Sequence, residues 1–248
     1  MSDPTPASRA RRLAAAEAGA RACPLGACDG SGWILGPEDV ARPCECRERR
    51  VSRARSRGVA SVVPAKYRGL GFDRPPITDL DATVVGVVRE YVDQLEANLE
   101  AGRGLWLMGD VGTGKTSLAM LVSKAALEHG RSVAIYSLPR LLARIRRTYD
   151  ADAGEQSYLE FFHRLTAVDL LHVDDLGAEK RTDWVLEQLY ALIDERYEAQ
   201  RSVVVTTNLD QASLEEQIGA RTVSRLVEIC GDPLPLFGED LRYRVEAS

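Results

Sequence analysis

Gly109-Asp110-Val111-Gly112-Thr113-Gly114-Lys115-Thr116 matches all four fixed positions of the pattern G-x-x-x-x-G-K-[ST]. Gly104 to Met108 (GLWLM) ahead of it reads as a short buried strand, and Ser117 to Glu128 behind it carries apolar residues at helical spacing. Strand, glycine loop and helix is the setting that separates a phosphate cradle from an ordinary glycine-rich turn. Glycines let successive backbone N–H groups curl around an anion, and the helix aims its positive N-terminal end at the same point. Lys115 is expected to reach the β- and γ-phosphates, and the Thr116 hydroxyl to coordinate Mg²⁺. The expected cradle is Gly109, Asp110, Val111, Gly112, Thr113, Gly114, Lys115, Thr116 and Ser117, and its ligand a nucleoside triphosphate.

Around this loop, apolar runs and helical patterns alternate. Strands are expected over 104–108, 132–136, 168–173, 202–206 and 233–236. Helices are expected over 80–100, 116–129, 138–149, 155–165, 182–199 and 211–229, the last broken near Gly219. Short apolar strands without polar alternation, each followed by a helix, imply an α/β fold with a parallel sheet covered on both faces.

The third of these strands ends His172-Val173-Asp174-Asp175, 58 residues after Thr116. A buried strand tipped with two acids has the character of a Walker B element. Asp174 is expected to hold Mg²⁺ and Asp175 to orient or deprotonate the attacking water, although the division between the two stays open. Asp175 stands where a longer Glu is common, so its carboxylate lies about 1 Å farther from the γ-phosphate. Misplacement on that scale can lower a rate about 100-fold, which suits a slow, timed switch. The fourth strand ends Thr206-Thr207-Asn208-Leu209-Asp210. Asn208 is the candidate to sense the γ-phosphate or water; a helix-cap role is its alternative, with Asp210 the better cap.

Arg221 and Arg225 lie four residues apart on one helical face. Such a helix can carry a guanidinium into the nucleotide site of a neighbouring copy, with Arg225 preferred, Arg221 second and Arg242 a further candidate. Internal ion pairs to Glu215 or Glu228 are the competing explanation. After the second strand, Arg140, Arg144 and Arg147 recur at i, i+4, i+7, with Leu141, Leu142, Ile145 and Tyr149 largely on another face. That stripe is either a track for single-stranded DNA phosphates or a solvated basic face. His163 and Trp184 are read as packing residues.

Four cysteines cluster in front: Cys23-x4-Cys28 and Cys44-x-Cys46, around Asp29-Gly30-Ser31-Gly32-Trp33. Four thiolates satisfy tetrahedral Zn²⁺, with free thiols in a loose segment as the alternative. A segment this short has little core, and zinc binding of roughly 10–16 kcal/mol is enough to fold it. The net charge of −5 divides unevenly: residues 1–68 hold 13 Lys+Arg and 7 Asp+Glu, so a basic front precedes an acidic body. Residues 1–57 are read as a front module with an Ala/Arg-rich helix over 8–21 and an arginine run over 47–57. Residues 58–78 are read as a linker and 79–248 as the catalytic domain. No apolar run approaches the roughly 20 residues of a membrane span, and no signal core is visible, so a cytoplasmic protein with no membrane partner is expected.

GDVGTGKTSLA (109–119), LLHVDDLG (170–177), VVTTNLD (204–210), RTVSRL (221–226) and FGEDLR (237–242), in this order, resemble the bacterial replicative-helicase loaders of the DnaC/DnaI group of AAA+ ATPases and their IstB-like transposition relatives. VPAKYR (63–68) is similar to the segment preceding the ATPase domain in that group, and the resemblance covers about residues 62–245. It implies a P-loop AAA+ core with sheet order 5-1-4-3-2, ATP with Mg²⁺, and assembly into an open ring or spiral. A replicative DNA helicase and single-stranded DNA are the implied partners, and some members carry a zinc module at this end. A transposition helper that assembles on DNA is the nearest rival; a small-molecule kinase and a non-hydrolysing ATP-binding protein are more distant ones.

Overall fold

The computed structural model describes residues 23, 25–36, 40–47, 51, 63–150 and 154–241. The expected helix over 8–21, most of the arginine run and Arg242 lie outside the described residues. The chain forms two compact units, divided between Ala54 and Arg55.

In the front unit, β1 (Trp33–Leu35) and β2 (Ala41–Pro43) form an antiparallel hairpin between the two cysteine pairs, with Trp33 opposite Pro43. Strands of three residues carry too little alternation to stand out among Gly and Pro, so the sequence did not announce this hairpin.

In the larger unit, short 3-10 turns at Ala65–Tyr67 and Ile77–Asp79 lead into α1 (Ala82–Asp93) and α2 (Leu95–Glu100). Asp81 caps α1 by accepting from the Thr83 and Val84 N–H groups. The single helix expected over 80–100 is broken at Gln94. Beside the break the Tyr91 carbonyl accepts from the buried Asn98 Nδ2 at 3.0 Å, a polar tie that apolar periodicity does not encode. Val84 and Val88 are buried on α1, whereas Val87 between them is exposed.

The core continues through β3 (Leu105–Gly109), α3 (Lys115–Glu128), β4 (Val133–Ser137), α4 (Leu138–Asp150), α5 (Gly154–Ala167) and β5 (Leu170–Asp174). It ends with α6 (Asp183–Glu198), β6 (Ser202–Thr207), α7 (Gln211–Ile218), α8 (Ala220–Cys230) and β7 (Leu234–Leu236). The five strands β3 to β7 are parallel in the order β7–β3–β6–β5–β4, which counted within the sheet is 5-1-4-3-2. Gly219, at φ 92°, separates α7 from α8 where the break was expected.

Successive strand residues feed opposite faces. Leu107, Leu170 and Val204 pack with Val88, Leu118 and Val122 from the α1–α3 side. Trp106, Leu171, Val203 and Val205 pack with Leu141, Leu165, Leu189 and Leu226 from the α4–α8 side. Below the sheet the buried Arg196 guanidinium donates to the carbonyls of Leu165, Thr166, Val168, Asp169 and Ser202, tying the starts of β5 and β6 together. The two strands whose far tips carry the candidate residues are thereby tied together at their starts.

Candidate functional site

Parallel strands send their carboxyl ends to one edge. There the loop after β3 and the tips of β5 and β6 converge on a cleft of about 520 Å³. Because β6 lies between β3 and β5, a side chain at its tip reaches both. In the loop, Gly109 and Gly112 have φ of 141° and 79°. A Cβ at Gly109 would meet the Leu236 carbonyl oxygen, and one at Gly112 the Asp240 carboxylate, each at 1.9 Å. Only glycine permits both the backbone turn and this close approach. The loop is held from beside: Gly238 N–H donates to Asp110 Oδ2 at 3.2 Å, and Leu241 N–H to the Gly112 carbonyl at 3.2 Å.

Lys115 opens α3, and its ammonium is buried within the loop, donating to the Gly109 carbonyl at 2.9 Å and to that of Asp110. One turn of chemistry sits next to it. Thr116 Oγ1 donates to Asp174 Oδ1 at 2.9 Å, Thr206 Oγ1 donates to the same oxygen at 2.7 Å, and Thr206 Oγ1 accepts from Asp175 N–H at 2.9 Å. A Thr116 hydroxyl whose hydrogen is given to Asp174 keeps its oxygen lone pairs for a cation. The donor set of hydroxyl and carboxylate oxygens suits a hard ion such as Mg²⁺.

Asp175 has φ 58°, a left-handed conformation that Asp adopts more readily than most side chains, and it lines the cleft. Asn208 is exposed at the same cleft. The cap role falls to Asp210, whose Oδ1 accepts from Ser213 N–H at 2.7 Å at the start of α7.

Four features in and behind the cleft were not foreseen. Lys66, Tyr67 and Pro76 line it from the segment ahead of α1, with the Lys66 ammonium 4.5 Å above the Tyr67 ring. VPAKYR showed a basic and an aromatic residue together but not that they line this cleft. Leu241 lines the opposite lip. Thr206 reads in sequence as an ordinary β-branched strand residue. His172 is fully buried; burial pulls its imidazole down to about 3, and its Nδ1 lies 2.9 Å from Ser123 Oγ. His163, expected to pack, is exposed, whereas Trp184 does pack and carries the Arg146 guanidinium 4.6 Å above its ring.

The basic stripe and the arginine pair lie apart from the cleft lining. On α4, Leu138, Leu141, Leu142 and Ile145 are buried and Arg140, Arg144 and Arg147 exposed, with Arg144 also 5.1 Å above the Phe161 ring. Tyr149, placed with the leucines in sequence, is 48% exposed and stacks on Tyr158 of α5. On α8, Arg225 is held by Asp194 at 2.9 Å and Glu228 at 3.1 Å and lies over the Tyr197 ring; Arg221 is exposed.

In the front unit, Cys23, Cys28, Cys44 and Cys46 place their sulfurs all within 4.8 Å of one another. The Cys23–Cys44 and Cys28–Cys46 separations are 3.8 and 3.5 Å, too long for disulfides and close to the roughly 3.8 Å expected between ligands at Zn–S bonds of about 2.3 Å. Burial and the neighbouring sulfurs push the Cys46 thiol up to about 12. A cation among the four relieves both effects, so the donor set fits a tetrahedral soft-ligand metal.

Among the described residues no helix is long and apolar enough to cross a membrane. The family model described as IstB-like ATP binding protein matches residues 79–228. The replicative helicase loader DnaC of Buchnera aphidicola subsp. Schizaphis graminum is 25% identical over 163 residues, 64% of this chain and 64% of that one. The uncharacterized protein YdaV of Escherichia coli K12 is 30% identical over 118 residues, 48% and 46% of the two chains. The chain thus spans less than two thirds of the length of these curated relatives. The crystal structure of the DnaC helicase loader superimposes with a TM-score of 0.59 at 25% identity, covering 71% of this chain and all of that one. AMPPCP-bound DnaA of Aquifex aeolicus shares the fold, with a TM-score of 0.60 at 18% identity over 75% of this chain and 54% of that one. A P-loop AAA+ core with these motifs in this order, matched by the family model over most of its length, places the chain in the family of IstB-like ATP binding proteins.

Proposed function

We propose that this protein is a cytosolic ATPase that grips single-stranded DNA and loads a replicative DNA helicase, with slow ATP hydrolysis as the switch. The observation that carries the hydrolytic part is the cluster of Thr116, Thr206 and Asp174 beside the Lys115 loop. The loader part is supported by the names and folds of the DnaC relatives. Residues 79–248 are read as the motor, 58–78 as a linker and 1–57 as the partner-facing module.

In this reading the loop N–H groups and Lys115 hold the β- and γ-phosphates, while Thr116 and Asp174 hold Mg²⁺, whose charge neutralises the phosphate oxygens when it is bound. Asp175 takes the proton of the attacking water, and Asn208 orients that water from the next strand tip. Asp175→Asn is expected to lower Mg²⁺-dependent turnover about 100-fold or more while leaving the Kd for ATP within about threefold. Measurable turnover unchanged by this substitution would remove Asp175 from the proton-accepting role, and no turnover in the wild-type protein would make it an ATP-binding partner without hydrolysis.

Arg140, Arg144 and Arg147 are read as the DNA contacts. Their replacement together by glutamine is expected to reduce the magnitude of the salt slope of single-strand affinity by about 2, measured by fluorescence anisotropy across a salt series. Equal slopes would return the stripe to a solvated face. The family description favours one second reading, a transposition helper that directs a transposase. Affinity capture in ATP, with and without residues 1–57, separates them: the loader reading requires a replicative helicase, the other a transposase. Zinc in the cysteine cluster is part of the first reading, as the structural centre of the partner-facing module.

A further inference from the structure

His172 sits on β5 two residues before Asp174, and both side chains point to the α3 side of the sheet. Its ring spans the gap between helix and acid. Nδ1 lies 2.9 Å from Ser123 Oγ, two turns along α3 from Lys115 and Thr116, while Nε2 has no hydrogen-bond partner among the described residues and lies 4.0 Å from Asp174 Oδ1. An unpaired polar atom on a side chain with no exposed surface needs a reason. An apolar residue here would satisfy the strand and the core with no such orphan.

A buried, neutral imidazole has one N–H, and the partner at one nitrogen decides where it resides. If Ser123 Oγ–H donates to Nδ1, the hydrogen must be on Nε2, facing Asp174. The carboxylate oxygen it faces is already the acceptor for Thr116 and Thr206. A third donor on Oδ1 leaves Oδ2 as the oxygen turned toward the cleft.

We infer that His172 is a positioning residue for Asp174: Ser123 sets its tautomer, and its Nε2–H closes by about 1 Å onto Asp174 Oδ1, fixing the carboxylate's orientation from behind. The arrangement is the familiar logic of an outer partner that aims a ligand, with histidine and carboxylate in exchanged places. It rests on the reading of Asp174 as the Mg²⁺-holding acid and deepens it: Ser123, inside a helix and far from any phosphate, becomes part of the metal site.

The chain has three histidines, so long-range ¹H–¹⁵N spectra of the full-length protein resolve each ring. The expected result is one imidazole in a pure Nε2–H tautomer, lost in His172→Leu and converted to Nδ1–H or a mixture in Ser123→Ala. A pure Nδ1–H tautomer for the His172 ring in the wild-type protein would overturn the inference. Mn²⁺ affinity of the ADP complex, read by electron paramagnetic resonance, is expected to fall about tenfold in His172→Leu and less in Ser123→Ala. The two substitutions together should add no more than His172→Leu alone, and the Kd for ATP without metal should not move. Asp174→Asn and wild type are measured alongside. If Asp174→Asn leaves Mn²⁺ affinity intact, the reading of the acid itself fails; if it abolishes affinity while His172→Leu and Ser123→Ala both match wild type, only the role of His172 fails. Should His172→Leu not fold, the wild-type tautomer and Ser123→Ala decide.

Discussion

Arg221→Ala is expected to lower the ATP turnover of the assembled protein by about 10³-fold, and mixing it with Lys115→Ala is expected to restore a measurable part of the activity. The magnitude is that of an arginine finger, a guanidinium that meets the charge developing on the transferred phosphoryl group. Complementation follows from geometry. The Arg221→Ala copy retains an intact phosphate loop, the Lys115→Ala copy retains its arginine, and a shared site between them is whole.

The sequence reading preferred Arg225, but its guanidinium is engaged within its own chain by Asp194 and Glu228 and rests on the Tyr197 ring. To act on a neighbour it would have to leave two carboxylates without their partner. Arg221, exposed and one turn earlier on α8, carries no such obligation among the described residues, and we therefore move the proposal to it. Arg225→Ala is expected to act through stability, read as a slightly lower Tm with turnover per folded molecule preserved. If Arg225→Ala instead loses turnover and complements Lys115→Ala, while Arg221→Ala is active, the finger is Arg225.

Removing metal with a chelator is expected to unfold the cysteine module altogether while the ATPase core keeps its cooperative unfolding. The described part of the front unit shows why. Leu25, Trp33, Leu35, Val40 and Val51 are all exposed, and the buried hydrophobic residues there are Cys44 and Cys46 themselves. A hairpin of two three-residue strands and a cation–π contact of Arg47 on Trp33 do not offset the chain entropy of ordering such a segment. The four sulfurs and whatever joins them are what remains to hold it. One zinc per chain by elemental analysis, and loss of the Trp33 near-ultraviolet signal on chelation, are the expected results. A metal-free protein with that signal intact would show that the thiols stand without an ion. Cys46→Ser is expected to reproduce the loss without a chelator.

Much of the core was legible because its signals are local. The phosphate loop is eight consecutive residues, and glycine at Gly109 and Gly112 is demanded by backbone geometry that the residue type itself announces. The five strands lie within two residues of their apolar runs, and the break at Gly219 is written in the glycine. Asp174 and Asp175 stood out as acids ending a buried strand, and Asp210 as a cap. The break at Gln94 was not legible, since the Asn98 amide beside it looks in sequence like any polar residue on a helix.

By itself, the sequence determined the glycine turn of the loop after β3 and, to within two residues, where each strand of a parallel sheet lies, since both are set within a few neighbouring residues. Tertiary structure alone decided what those residues do to one another. Thr116 and Thr206 meet on one oxygen of Asp174 across 58 and 32 positions, and His172 finds Ser123 across 49. Arg225 meets Asp194 across 31. Hydrogen bonds and ion pairs at such separations depend on the order in which strands lie side by side, and no local pattern of residue types records that order.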